Sequence, residues 1–250
     1  MGHLLAAEWR KLRTTRTMWW LLGISLALIA LAVVATIAVA GSGEDVFGLD
    51  TVEGVRNVFA QAGSGSAALL VLGIIGVTGE YRHGTITSTF LVTPRRGRVV
   101  VAKLVSYFLI GVAFALVSII VTLAIALPWL SGKHVDLSSV TSDIVLVLLG
   151  VILASGLWAL MGVGVGALVR NQVAAIVVSL IWVLLVEGIV TALFPKVGRW
   201  LPGSAAAALQ AVARPNIGLL SWWAGGLLFA GYALGLAAVG SRFAISRDVT

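Results

Sequence analysis

From Trp19 to Ala40 the chain runs for 22 residues without a charged side chain. About 20 apolar helical residues cross a bilayer's hydrocarbon core, where every backbone N–H and C=O must be satisfied inside the segment. The stretch therefore reads as a membrane span, with Trp19 and Trp20 at the interface that indole rings favour. A secretory signal is the rival reading, because basic residues precede it and Ala38-Val39-Ala40 resembles a cleavage site. Its apolar part, however, exceeds the roughly 7–15 residues of such signals. Composition extends the reading to the whole chain. Of 250 residues, 60% are hydrophobic and 11% charged, against about 25% charged in soluble domains. So few charges would not cover a water-facing surface. An all-α, polytopic membrane protein is expected.

Further spans are expected at residues 104–126, 144–169, 173–194 and 222–239. The doubtful one is 59–78, whose outer half is diluted by Gly63, Ser64, Gly65 and Ser66. Charge decides it. Six spans with the N-terminus inside put 12 Lys and Arg in the cytoplasm and 5 outside; omitting the doubtful span gives 8 against 9. Lys and Arg favour the cytoplasmic side of short loops, so six spans and two cytoplasmic termini are expected, within one transmembrane domain covering residues 1–250. Lys196, Arg199 and Arg214 run against this trend. Ahead of the first span, Leu5, Trp9 and Leu12 share helical spacing, while Arg10, Lys11, Arg13 and Arg16 supply charge. Such a helix suits the headgroup region; an unstructured basic flank is the alternative.

What is missing narrows the chemistry. No G-x-x-x-x-G-K-[ST] occurs, so no P-loop of the chain's own is expected to cradle ATP phosphates. His3, His83 and His134 lie in separate segments without ligand spacing, and there is no cysteine; no metal site and no catalytic residues are expected. The formal charge of +7 is read as orientation and contact with anionic lipid of the bilayer rather than nucleic-acid binding, since no basic helix with interleaved aromatics stands apart from the spans. Glu187 lies inside a span, in IWVLLVEGIV. A carboxylate there is costly and by default a functional candidate; it lies nearer the outer end, so reaching interfacial water is the other reading.

The window GEYRHGTITSTFLVTPRRGRVVVAK, residues 79–103, holds five of the 17 basic residues. Gly84 permits a tight turn, Thr85 is placed to cap a short helix through Thr87–Leu91, and Pro94 would end it. Glu80 and Arg82 are placed to pin that helix to the N-terminal segment. The bland reading is that these charges only set topology. The ordered set Glu80, Arg82, Gly84-Thr85, then Thr93-Pro94-Arg95-Arg96 and Lys103, resembles the signature of ABC transporter permeases of the type-2 exporter family. The resemblance implies a dimer, either a homodimer or a pairing with a second permease. It implies a separate ABC ATP-binding subunit that carries ATP and Mg, with no cofactor bound by this chain. It also implies that the loop after span two is a cytoplasmic coupling helix docking on that subunit, using Glu80, Arg82, Gly84, Thr85, Pro94, Arg95 and Arg96. A bacterial cytoplasmic membrane and outward transport follow from the same likeness.

Small residues let helices approach closely in lipid, and Gly162-x-x-x-Gly166 and Gly231-x-x-x-Gly235 are expected to pack within the subunit. The resemblance instead places the dimer seam near spans one and five. Residues 195–220 are too interrupted for a span. Ser204 is placed to cap a helix through Ala205–Val212 closed by Pro215, and the resemblance implies short external re-entrant helices there; a loop on the bilayer surface is the alternative. The function expected is a permease subunit of an ATP-driven exporter. An ATP-independent carrier using Glu187, or a membrane immunity or anchoring component, stands against it.

Overall fold

The computed structural model describes residues 2–43, 47–82, 96–214 and 217–246, and these are helical with no strand. Helix α1 (Gly2–Thr14) precedes α2 (Arg16–Val39). Thr51 Oγ1 accepts from the Gly54 N–H and so caps α3 (Val52–Ala60). A 3₁₀ turn at Gln61–Gly63 then leads to α4 (Ser66–Arg82). The long α5 (Arg96–Gly132) is followed by α6 (Thr141–Val169). Arg170, in the left-handed region at φ 57°, ends α6. Asn171 then caps α7 (Gln172–Ile181) by accepting from the Ala174 N–H at 3.1 Å. A π-helical turn, Trp182–Val186, joins α7 to α8 (Glu187–Leu193). Two short helices, α9 (Pro195–Gly198) and α10 (Pro202–Leu209), precede α11 (Trp222–Ser246).

Six stretches among the described residues are long and apolar enough to cross a membrane: Arg16–Val39, Val52–Arg82, Gly97–Gly132, Ser138–Val169, Gln172–Leu193 and Trp222–Arg242. The second and third outrun the 59–78 and 104–126 expected from hydropathy. Their extra turns carry charge that is paired inside the bundle (Glu80 and Lys103), so the helix continues where hydropathy falls. At about 1.5 Å per residue, α5 with its 37 residues is longer than a hydrocarbon core is thick.

The centre of the bundle is α6, which packs against α4, α5 and α11. Trp158 on α6 meets Phe229 on α11 with ring centroids 5.0 Å apart. Small residues set the closest approach. A Cβ on Gly162 would run into the Leu70 carbonyl, one on Gly73 into backbone at Ala159 and Val163, and one on Gly166 would crowd Ile74. Gly162 and Gly166 thus pack as expected. Gly231 and Gly235 do not: nothing lies within 4 Å of a Cβ at either, and both are exposed on α11. The close contacts of α11 are made by Gly240 against Gly164 and by Gly225 against α10. Composition alone does not tell a helix's lipid side from its packed side. Helix α10 also begins differently from expectation. Pro202 occupies its first turn, where a missing N–H is harmless, and Ser204 lies buried within it rather than capping it. Pro215 is outside the described residues. The least buried spans are α2 and the α7–α8 pair.

Candidate functional site

Both described termini lie at one end of the bundle, and there α1, α4 and α5 are tied by four alternating charges. Lys103 reaches back from the early turns of α5 with all three ammonium donors used: Nζ lies 2.9 Å from Glu8 Oε2, 2.9 Å from Glu80 Oε1 and 3.2 Å from the Gly76 carbonyl. Lys11 closes the ring from α1, 2.9 Å from Glu8 Oε1 and 2.8 Å from Glu80 Oε1. Glu8 and Lys103 are buried, while Lys11 is half exposed. Helical spacing builds each corner. Glu8 and Lys11 stand three apart on one face of α1. Gly76 sits one turn before Glu80 on α4, so its carbonyl faces the same lysine. At Gly76 any side chain would collide with Tyr107, whose ring lies 5.8 Å from the Lys103 ammonium. Beside the ring, the Arg170 guanidinium stacks 5.1 Å above Tyr81.

Two carboxylates and two ammoniums cancel, so the charges share their fields instead of meeting hydrocarbon unpaired. Burial alone would push Glu8 up, but Lys103 and Lys11 outweigh it and hold Glu8 below the ordinary carboxylate value. Burial alone would push Lys11 down, but Glu80 and Glu8 outweigh it and raise Lys11 above the ordinary amine value. The signs fix the pH window. The depressed acid stabilises the fold above about pH 4.3, its unfolded value, and loses that contribution as pH falls through its folded value. The raised amine contributes below about pH 10.4 and fades as pH rises through its folded value. Docking of α1 should therefore be flat between about pH 5 and 9 and weaken in acid. Hydrogen exchange of residues 2–14, corrected for intrinsic rates, checks this; loss of protection between pH 6 and 8 would contradict it.

Of the residues singled out in the sequence, Lys11, Glu80 and Lys103 fall in this ring. Trp9 and Arg10 lie exposed on α1 beside it, and Arg13 lies on the same helix. Arg82 is exposed at the end of α4, and Arg96 is the first residue of α5. Gly84, Thr85, Pro94 and Arg95 lie outside the described residues, as does the expected helix at Thr87–Leu91. Glu8 was not anticipated as a partner. Its signal was its isolation, as the one acid among the first 43 residues. No group of His, Cys, Asp or Glu among the described residues is arranged to hold a metal ion.

At the opposite end, Glu187 is buried at the start of α8, directly after the π-helical turn. Its Oε1 accepts from the Trp182 indole at 3.0 Å and its Oε2 from the Gly203 N–H of α10 at 2.7 Å. Arg56 of α3 pairs with Asp143 of α6. The Asn57 amide clasps the Ala213 backbone through two hydrogen bonds of 3.0 Å. Between these elements lies a cavity of about 450 Å³ lined by Glu187, Arg214, Gln61, Thr36 and Ser66, among others. The two ends are thus different in kind. One is a closed ionic tie; the other is a polar cavity.

Residues 4–186 match the family model described as ABC-2 family transporter protein. No curated protein matches the chain.

Proposed function

The chain belongs to the ABC-2 transporter family, and we propose that it is the permease subunit of an ATP-driven exporter, coupled to a separate ATP-binding chain. The family's membrane component has no ATPase domain of its own, so the energy comes from a partner carrying ATP and Mg. The observation that carries the reading is the ring of Glu8, Lys11, Glu80 and Lys103. It joins α1, α4 and α5 at the mouth of residues 83–95, the segment whose sequence resembles a coupling helix. A push on that segment reaches three helices at once.

The excess of Lys and Arg places this end in the cytoplasm, both termini included, with α1 lying in the headgroup region. The opposite end, with α9 and α10, then forms the outer mouth. Two permease chains, identical or paired with a second permease, meet along α2 and α7–α8, whose outward faces are apolar and open. Closure of the two ATPases drives Arg82, Arg95, Arg96 and their neighbours, tilts the tied helices and moves substrate outward. The setting is a bacterial cytoplasmic membrane, crossed six times by a single domain of residues 1–250.

The test is flux from liposomes holding this chain with its P-loop ATPase, with and without a proton gradient. ATP-dependent efflux that ignores the gradient is the expected result. Gradient-driven flux without ATP that disappears in Glu187→Gln would make the chain a carrier instead.

A further inference from the structure

Glu187 has no part in the ionic ring, yet it is kept in the least buried span of the bundle, where a carboxylate is costly and functional by default. The chain spends local structure on it. The π-helical turn at Trp182–Val186 shifts the helix register just ahead of it, a distortion that recurs at functional sites. On α10, a side chain at Gly203 would strike the carboxylate, so glycine there leaves room for it.

The carboxylate is only partly satisfied. Each oxygen accepts one hydrogen bond, whereas a carboxylate offers about four lone-pair sites. Arg214 lines the same cavity and is exposed, which places it at the rim while Glu187 lies deep. Its guanidinium interacts electrostatically with Glu187 but makes no hydrogen bond or ion pair among the described residues. Gln61 also lines the wall, and its side-chain amide makes no hydrogen bond among the described residues. Both charges lie beyond the residues matched by the family model, which end at 186.

We propose that this cavity binds a zwitterion, its ammonium directed inward to Glu187 and its carboxylate or phosphate held at the rim by Arg214. A simple cation is repelled by Arg214 and a simple anion by Glu187. A neutral polar molecule engages neither charge. The volume of about 450 Å³ lies within the ordinary range for small-ligand sites and admits a short peptide or one lipid head group. The shared chemistry is an ammonium and an anion a few bonds apart, whether free in solution or on a zwitterionic phospholipid. The assignment does not need an ATPase partner, so its failure leaves the exporter reading standing, and the converse holds.

The experiment uses the full chain in nanodiscs and reads hydrogen exchange at residues 202–212, the segment that backs the cavity. One arm adds triglycine to discs of phosphatidylglycerol alone; the other dopes the discs with phosphatidylethanolamine. With probe at about ten times its dissociation constant, exchange should slow about tenfold in at least one arm. Protection by triglycine assigns a free zwitterion, and protection by phosphatidylethanolamine a lipid head group. N-acetyl-triglycine and triglycine amide, each missing one charge, should lose most of it. Glu187→Gln should erase the preference for a free amine and Arg214→Gln the preference for a free carboxylate. Should Glu187→Gln fail to fold, Arg214→Gln at the exposed rim carries the test alone. No protection in either arm, or protection unchanged in Arg214→Gln, overturns the proposal.

Discussion

Replacing Lys103 by methionine should cost the bundle about 3–5 kcal/mol, the usual penalty for stripping one partner from a buried ion pair. The size comes from what stays behind. Glu8 and Glu80 would face one another with Lys11 as their remaining cation, and Lys11 is half exposed. The Gly76 carbonyl would lose its side-chain donor as well. Methionine matches the lysine stem closely, so packing changes little and the loss reports charge. The measurement is thermal unfolding in nanodiscs, with hydrogen exchange of residues 2–14 to show whether α1 lets go first. Replacing Glu8, Glu80 and Lys103 together by methionine should restore most of the stability, because a buried pair exchanged whole for apolar groups is often neutral. A single variant as stable as the parent would mean that water reaches the ring and screens it.

The second large effect belongs to the crossing of α4 and α6. A valine at Gly73 would drive its Cβ into the Ala159 carbonyl and the Val163 N–H, both of them helix backbone and neither able to rotate away. Overpacking commonly costs about 1–3 kcal/mol when side chains can adjust; here two helices must separate, so the cost should lie at or above the top of that range. Loss of a monodisperse folded species on size exclusion is expected. Gly231→Val is the matched control, since nothing lies within 4 Å of a Cβ there, and it should leave the chain's unfolding midpoint unchanged. Equal behaviour of the two variants would count against the crossing.

The six spans were legible in the sequence because hydrocarbon admits so few solutions: a run such as Trp19–Ala40 has hardly any other fold available. The doubtful span at 59–78 was settled by charge asymmetry. Its true extent was not legible, because α3 prolongs it with polar residues, Arg56 and Asn57, that find partners in the bundle. Turn chemistry and family likeness pointed to a coupling window whose middle lies outside the described residues; within them, Glu80 meets the N-terminal segment through Lys11. Glu8 escaped because its main partner lies 95 residues away, and no local pattern reports such a distance. The glycine spacings read alike at Gly162 and Gly231, yet one meets backbone and the other open space. Spacing says that a close approach is allowed, not that a neighbour comes. Glu187 stood out as a buried carboxylate, but its tether to Gly203 and its rim cation Arg214 required the path of α10.

Copurification tests the central claim most directly: the full chain, tagged and gently extracted, set beside a variant carrying Glu80→Ala, Arg82→Ala and Arg96→Ala that still inserts normally. A P-loop ATPase recovered in fixed proportion with the parent and lost with the variant is the expected result, and it would make the charged end of the bundle the point where an external engine takes hold. No ATPase with the parent, or equal recovery with the variant, would contradict it and leave those charges as determinants of orientation alone.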